Sequence, residues 1–239
     1  MRAFPNKFPA VAPEEGVHEV VVGTPRHVLT FADLTDEEAA RAVAAWSERL
    51  TAVAADPRGL WPFLFLNQGA GAGASLQHSH AQLVGLPLEP PRLLAREQAF
   101  AAADGCPVCA DLRAARPERV VLEEEGLAVW CPSPSPLTGL VRIAPVRHAP
   151  GWDAELDAGS VGRALRAVCG LMHRALGARD QNLWLHQRRP GGDGRYHWHV
   201  DAVPRVGTLA GLELGADVIP IAVDPAGAAA RLRDVEVAA

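Results

Sequence analysis

The alternation of apolar and polar positions divides this chain into short strands and two long amphipathic helices. Apolar residues recur at helical spacing over 39–53, and Thr35 with Glu38 has the form of a capping box that opens such a helix. We expect this helix to end near Ala54. The same reasoning predicts the remaining elements, which are helices over 93–102 and 160–176 and strands over 18–22, 61–66, 83–86, 120–122, 128–130, 140–143, 183–186 and 196–203.

The order of these elements repeats once along the chain. Each half contains a strand, a long amphipathic helix, another strand, a glycine-rich loop and a His-x-His sequence. His27 stands before His78 at almost the same distance as His148 before His197. The repeating unit is about half of the chain. Because it is longer than the ~20–50 residues of solenoid repeats, it predicts two duplicated α+β units. A proline-rich linker ends the first unit, which gives units of residues 1–91 and 92–239.

Composition narrows the class of protein without identifying it. The apolar fraction of 49% and the charged fraction of 21% are typical of a globular protein, and a net charge of −5 gives no reason to expect nucleic-acid binding. No apolar stretch approaches ~18 residues and no signal peptide opens the sequence, so no membrane association is expected. A Cys-x-x-Cys pair in such a chain indicates metal or redox use. These features predict a cytoplasmic protein.

A glycine-rich loop follows the predicted strand at 61–66. Glycines at every second position would leave backbone N–H groups uncovered, so that an anion could approach them closely. Ser75 and Gln82 could add side-chain donors. The pattern therefore predicts an anion cradle, with a flexible loop as the alternative because short motifs often match by chance. Its amides would come from Gly69, Gly71 and Gly73.

Two histidines follow this loop in the sequence His78-Ser79-His80, and Gln82 stands two positions further on. Residues two apart on an extended strand face the same side, so the three side chains should line one surface. Imidazoles beside an anion cradle indicate phosphoryl or nucleotidyl chemistry. A metal-binding pair or a polar strand face is the alternative.

Together with Asn67 and Ser75, this run resembles the active-site motif of the galactose-1-phosphate uridylyltransferase family, a branch of the histidine-triad superfamily. The resemblance implies that His80 is the nucleophile and that the carbonyl of His78 fixes its tautomer. It implies that Gln82, Ser75 and the loop amides stabilise charge on the phosphoryl oxygens. It also implies a fold of two fused histidine-triad-like units, with a mainly antiparallel sheet and flanking helices. Ser79 between the histidines looks more like the plant ADP-glucose phosphorylase branch.

Other segments extend the same resemblance. Residues 4–9 are similar to the family segment that contacts the nucleotide base and ribose, which implies roles for Asn6, Lys7 and Phe8. Asn67 would orient the phosphates. Within Leu209–Gly215, Glu213 matches a glutamate that bonds sugar hydroxyls. In the family, an upstream segment with two arginines and a Cys-x-x-Cys precedes these motifs, so the printed chain is expected to begin within the first unit.

Four residues of the second unit form a candidate metal site. Cys106 and Cys109 lie on a Cys-Pro-Val-Cys sequence, expected to be a tight turn, and the repeat offers His148 and His197 as further ligands. Two cysteines and two histidines are a closed, structural zinc set, Zn²⁺ being the expected cofactor. The alternatives are a redox pair or two idle thiols. His27 and His78 match zinc-ligating histidines of the family, without partner cysteines.

The two copies of His-x-His are not chemically equal. Aligning His80 with His199 places Asp201 opposite Gln82, and a carboxylate would repel a phosphate to which an amide can donate. The second loop, at 189–195, also gains charges. The first copy is therefore expected to be catalytic and the second structural or sugar-binding.

The resemblance implies a nucleotidyltransferase that moves a nucleoside monophosphate from a nucleoside diphosphate sugar to a sugar 1-phosphate or phosphate, through a nucleotidyl-histidine. The alternatives are a phosphorylase or hydrolase of the ADP-glucose type and a catalytically inactive nucleotide-binding scaffold. A homodimer is expected by resemblance. His18 and His173 are interpreted as surface or packing residues, and Cys131 and Cys169 as buried apolar ones.

Overall fold

The chain forms one nine-stranded antiparallel sheet with helices on both faces. A computed structural model describes residues 1–135, 137–152, 157–192, 194–207 and 210–237. Leu209 and Asp193, which belong to the predicted sugar segment and second loop, lie outside these ranges. The strands are β1 (Arg2–Pro5), β2 (Val17–Val22), β3 (Trp61–Gln68), β4 (His80–Leu86), β5 (Val120–Glu124), β6 (Leu127–Trp130), β7 (Val141–Pro145), β8 (Gln181–His186) and β9 (His199–Pro204).

The helices follow the predicted order, with additions. They are α1 (Asp36–Ala54), α2 (Pro91–Ala102), α3 (Pro107–Ala115), α4 (Ala158–Leu176), α5 (Gly211–Ala216) and α6 (Pro225–Val237). The capping box at the start of α1 is confirmed: the amide of Glu38 donates to Thr35 Oγ1 at 3.2 Å and the amide of Thr35 to Glu38 Oε2 at 2.9 Å. No helix in the described parts of the chain is long and apolar enough to cross a bilayer.

The strand order β1-β2-β4-β3-β8-β9-β7-β6-β5 displays the internal repeat. The succession β2-α1-β3-β4 in the first unit corresponds to β7-α4-β8-β9 in the second, and the units join where β3 pairs with β8. The α+β fold with an antiparallel sheet and flanking helices is therefore confirmed. The unit boundary at residue 91 coincides with the start of α2 and stays a prediction.

The two faces of the sheet differ in chemistry, because neighbouring residues on each strand point to opposite sides. One face is apolar and packs against α1 and α4, forming the main core. The opposite face carries polar side chains from both units. Its second half lies under α2 and α3, where Phe100, Val108 and Leu112 pack against Ala128, Trp130 and Ala144.

Several local expectations were wrong, and strand β1 was not predicted. The Cys106–Cys109 turn is the start of a helix, with Cys106 as its N-cap and Pro107 in its first turn, where the missing N–H costs nothing. Strand β9 begins at His199 rather than near Tyr196. Helices α5 and α6 were not predicted, since neither has a clear apolar stripe in the sequence.

Close packing of the two long helices depends on Gly162 in α4. A Cβ there would lie 2.9 Å from the Ala39 carbonyl carbon and 3.0 Å from the Ala40 nitrogen, both backbone atoms of α1. By contrast, a Cβ at Gly170 of the same helix would meet only the flexible end of Arg174, at 3.0 Å.

We therefore predict opposite effects for the same substitution at these two helical glycines. Gly162→Ala should lower the free energy of unfolding by about 1–3 kcal/mol, because the helices must separate. Gly170→Ala should leave it unchanged or raise it by about 0.5–1 kcal/mol, because alanine favours the helix. Urea unfolding of both variants measures this, and equal changes would contradict the packing argument.

Candidate active site and metal centre

His80 is the first residue of β4 and is held in one tautomer. Its Nδ1 lies 2.7 Å from the carbonyl oxygen of His78, and because a carbonyl can only accept, Nδ1 carries the proton. The lone pair is therefore on Nε2, which has no hydrogen-bond partner among the described residues. The side chain is 5% exposed. This geometry agrees with the expected role of the His78 carbonyl.

The second copy repeats this contact but blocks the other nitrogen. His199 Nδ1 lies 2.9 Å from the carbonyl oxygen of His197, and Arg96 Nη1 of α2 donates to His199 Nε2 at 2.8 Å. Burial and the nearby Arg142 keep the pKa of His199 well below its usual value. His199 is therefore neutral, with its lone pair already used. This difference favours the first copy as the nucleophile.

His78 lies outside the strand that carries His80 and Gln82, so the expected alternation along one strand does not extend to it. His78 precedes β4, and its Nε2 lies 3.0 Å from the carbonyl oxygen of Thr24. Its ring centroid is 5.7 Å from that of His27. The amide of Ser79 donates to the Val28 carbonyl at 2.7 Å, which bends the chain before the strand begins. His78 thus contacts His80 through its backbone.

The glycine loop is folded differently from the predicted open cradle. Residues 70–72 form a 3₁₀ turn in which the amide of Gly73 donates to the Ala70 carbonyl at 3.0 Å. The amide of Gly71 donates to Asp180 Oδ2 at 3.0 Å. The expectation of free amides at Gly71 and Gly73 is therefore wrong for this structure. Gly69 has φ +81°, and a Cβ there would overlap the Asp180 carboxylate at 1.7 Å, so glycine is required.

Residues of β8 and the segment before it hold this loop from the second unit. Asn182 Nδ2 donates to Asn67 Oδ1 at 2.8 Å and to the Ala72 carbonyl at 2.9 Å. Asn67 lies on β3, directly opposite Asn182 in the sheet. Ser75 is exposed after the loop and has no side-chain partner in the described part of the chain. Sequence reasoning missed Asp180 and Asn182, because nothing local marks them.

Gln82 lies on the same strand face as His80 and contacts a histidine that the sequence analysis set aside. His18 Nε2 of β2 is 2.9 Å from Gln82 Oε1. His18 also receives the amide of Ala10 at Nδ1, at 2.9 Å. Its only sequence signal was its position on a predicted strand, which does not reveal the neighbouring strand.

The predicted base and sugar segments lie in different places. Asn6 Nδ2 is 3.2 Å from His18 Nε2, so residues 6–10 lie beside the Gln82 end of the first-unit site. Lys7 lies over the ring of Phe8, 5.3 Å from its centroid, and Phe8 is exposed. Glu213 on α5 instead accepts from the amide of Ala210 at 2.8 Å. No contact among the described residues joins Glu213 to His80.

The four predicted metal ligands converge. The ligand atoms of Cys106, Cys109, His148 and His197 all lie within 4.8 Å of one another. His197 Nδ1 is 3.5 Å from Cys106 Sγ and 3.4 Å from Cys109 Sγ. Burial, followed by the Cys106 thiol, raises the pKa of Cys109 to about 11, and a divalent cation would supply the charge that favours thiolates. This donor set fits a metal ion.

His186, His199 and Asp201 form a second group of possible ligands, but His199 and Asp201 are already held by arginines. Arg142 donates to both carboxylate oxygens of Asp201, at 2.7 and 2.9 Å, and Arg96 occupies His199. Burial would raise the pKa of Asp201, but Arg142 and His186 outweigh it and hold that pKa well below its usual value. Burial lowers the pKa of His186 to about 4. The group is a buried ion-pair network.

A large cavity lies over this network rather than beside His80. It measures about 1180 Å³ and is lined by Arg96, Arg142, His186 and Asp201 together with apolar residues of α2 and α3. The cavity that touches His80 measures about 10 Å³ and lies toward the core. The second unit thus encloses space, which fits the expected structural or sugar-binding role.

The fold is an α+β protein in which one antiparallel sheet carries two His-x-His sequences, each at the start of a strand. Residues 4–90 match the family described as galactose-1-phosphate uridyl transferase, N-terminal domain. A solved uridylyltransferase structure superposes with a TM-score of 0.89 at 25% identity, covering 98% of this chain and 85% of that one. Residues 4–90 therefore resemble the N-terminal domain of this family, and nearly the whole chain resembles a solved uridylyltransferase.

Two curated relatives show how much of each protein is shared. The chain is 39% identical over 89 residues to a galactose-1-phosphate uridylyltransferase of Streptomyces lividans, which covers 37% of this chain and 25% of that protein. It is 25% identical over 231 residues to an ADP-glucose phosphorylase of Arabidopsis thaliana, covering 92% of this chain and 65% of that protein. The chain therefore spans less than two thirds of either relative.

We predict that Asp201→Asn lowers the free energy of unfolding by about 3–5 kcal/mol, because buried Arg142 loses its two close charged contacts and keeps only Asp111, at 3.9 Å. The matched control is Glu37→Gln, which breaks the exposed Glu37–Arg41 pair at 3.5 Å and should cost less than about 1 kcal/mol. Chemical denaturation of both variants measures the difference. Similar small losses would show that the Asp201 pair is not a structural support.

Proposed function

We propose that the protein is a nucleotidyltransferase that uses His80 as its nucleophile. The observation that carries this proposal is that Nε2 of His80 has no hydrogen-bond partner among the described residues, while the His78 carbonyl holds Nδ1 at 2.7 Å. In the second copy, Arg96 already occupies the equivalent Nε2 of His199. A neutral imidazole attacks phosphorus well near pH 7. The substrates proposed are a nucleotide sugar and, as acceptor, a sugar 1-phosphate or phosphate.

In the first step, His80 Nε2 forms a bond to the α-phosphorus while the bond to the departing sugar 1-phosphate breaks. In the second step, a phosphate oxygen of the acceptor attacks the same phosphorus and the N–P bond breaks, which regenerates neutral His80. The donors proposed for the phosphoryl oxygens are Gln82 Nε2, Ser75 Oγ and amides near Gly69. Gly71 and Gly73 shape the loop, and Asn67 orients the phosphates.

Two segments outside the strand that carries His80 are assigned to the nucleoside end and the sugar end of the substrate. Asn6, Lys7 and Phe8 are proposed to contact the base and ribose, since they lie next to the Gln82 end of the site. Glu213 is proposed to bond sugar hydroxyls. We also propose a homodimer, supported by the exposed apolar side chains of Leu212 and Leu214 on α5.

A second candidate function is phosphorolysis, with inorganic phosphate as acceptor. The observation that favours it is the similarity to the Arabidopsis thaliana ADP-glucose phosphorylase over 92% of this chain, together with Ser79 between the histidines. Incubation of the protein with uridine, adenosine and guanosine diphosphate sugars, each with glucose 1-phosphate, phosphate or buffer alone, separates the two functions from hydrolysis. An inactive scaffold would bind nucleotide sugars in this panel without converting any.

The metal proposed for the Cys106 group is a structural zinc ion. Two thiolates and two imidazoles are the usual donors for zinc, and four protein ligands leave no position for substrate. Bound zinc would fix the start of α3 against the loop before β9. Because such ligands need reduced cysteines, we propose the cytoplasm as the compartment.

We predict that His80→Asn abolishes nucleotide exchange while nucleotide-sugar binding remains, because the rest of the site is untouched. Gln82→Ala should lose about 10²–10³-fold in rate if its amide is one oxyanion-type donor. The measurement is incubation with labelled nucleotide sugar, followed by peptide mapping for an acid-labile, base-stable label.

The matched control is His199→Ala in the second copy, which should still form the labelled intermediate whenever the variant folds. Label on His78, or complete loss of label in a folded His199→Ala protein, would contradict the assignment of the nucleophile.

We predict one zinc ion per chain, with Zn–S distances of about 2.3 Å. Cys109→Ser should lose the metal and lower the unfolding midpoint. The rate of nucleotide exchange by the protein that remains folded should change little. Cys131→Ala, at a buried cysteine outside the group, should retain the metal. Elemental analysis and thermal unfolding measure both effects, and a metal-free wild-type protein with a Cys106–Cys109 disulfide would refute the prediction.

A further inference from the structure

We infer that His18 is a positioning residue that fixes which end of the Gln82 amide faces the reacting phosphate. The inference rests on the proposed function, in which Gln82 donates to a phosphoryl oxygen. It begins from an assignment of protons. The backbone N–H of Ala10 points at His18 Nδ1 from 2.9 Å and can only donate, so Nδ1 is the unprotonated nitrogen.

The proton of neutral His18 is therefore on Nε2, 2.9 Å from the Gln82 side chain. A protonated Nε2 needs an acceptor, which only the oxygen of that amide provides. This fixes Oε1 toward His18 and turns the Nε2 amide group the other way. Gln82 Nε2 has no partner among the described residues, so both of its N–H groups remain available to a ligand.

The neighbouring Asn6 does not replace Gln82 in this arrangement. Its Nδ2 is 3.2 Å from His18 Nε2, and both are donors, while its Oδ1 already accepts from the amide of Phe8 at 2.9 Å. Asn6 is nevertheless tied to the same histidine, because its backbone amide donates to the His18 carbonyl at 2.8 Å. His18 thus joins residues 6–10, the proposed base segment, to the proposed phosphate donor.

The orientation of the Gln82 amide matters chemically because its two ends have opposite character. With Oε1 toward the phosphate, the side chain would present an acceptor to phosphoryl oxygens and repel them. A glutamine free to rotate spends part of its time in that orientation. His18, whose proton is fixed on Nε2 by the Ala10 amide, excludes that orientation of Gln82 before the substrate binds.

A double-mutant cycle tests this role. His18→Leu should lower kcat by about 3–10-fold, the value of one hydrogen bond, with KM for the nucleotide sugar within about twofold. His18→Gln, which keeps an N–H donor near the position of Nε2, should recover most of the loss. In a Gln82→Ala background, His18→Leu should cost less than about twofold, because the group it orients is gone. His173→Leu is the control for removing a histidine elsewhere.

Equal losses from His18→Leu in both backgrounds would show a merely structural role and overturn the inference, as would an unchanged kcat in the wild-type background. Nitrogen NMR of His18 in the wild-type protein gives a readout that needs no activity. Protonation on Nδ1 rather than Nε2 would refute the assignment even if the proposed function holds. Conversely, a wild-type protein that converts no nucleotide sugar but carries the Nε2 proton contradicts the proposed function. In that case the affinity for nucleotide sugar is measured for the wild type, the two single variants and the double variant.

Discussion

Pairing of β3 with β8 is the constraint on which the rest of the structure depends. It joins two similar units edge to edge, so that one continuous sheet carries His80 and His199 on the same face. Because side chains alternate along each strand, the register that places Asn67 opposite Asn182 also fixes which residues face the site. Buried Gln68 and Gln181 lie opposite each other at the same junction, where Gln68 Nε2 donates to Gln181 Oε1 at 3.4 Å.

The junction also makes the first-unit site a product of both units. The glycine loop belongs to the first unit, but Asp180 and Asn182 from the second unit hold its turn. A carboxylate therefore already occupies one of the amides expected to meet substrate. In the proposed function, the loop would act chiefly through its shape, and side-chain donors such as Gln82 would supply the larger share of the phosphate binding.

Packing of α2 over the second copy explains why the two His-x-His sequences differ chemically. Helices α2 and α3 lie over the second copy, and α2 supplies Arg96, whose guanidinium donates to His199. At the position that corresponds to Gln82, the second copy carries buried Asp201, whose charge is compensated by Arg142. In the first copy the corresponding histidine keeps a free nitrogen. The same sequence pattern is thus a structural network in one unit and a candidate nucleophile in the other.

The sequence by itself determined the features that depend on neighbours along the chain or on donor chemistry. The Thr35–Glu38 capping box, the internal repeat, the long helices and the Cys106, Cys109, His148 and His197 ligand set were all predicted, because each is a local pattern or a repeated one. The tertiary structure decided the contacts that join residues far apart in the sequence. These contacts join His18 with Gln82, 64 residues apart, Arg96 with His199, 103 residues apart, and Gly71 with Asp180, 109 residues apart. These could not be predicted, since strand register and helix placement, rather than any local pattern, bring such side chains within hydrogen-bond distance.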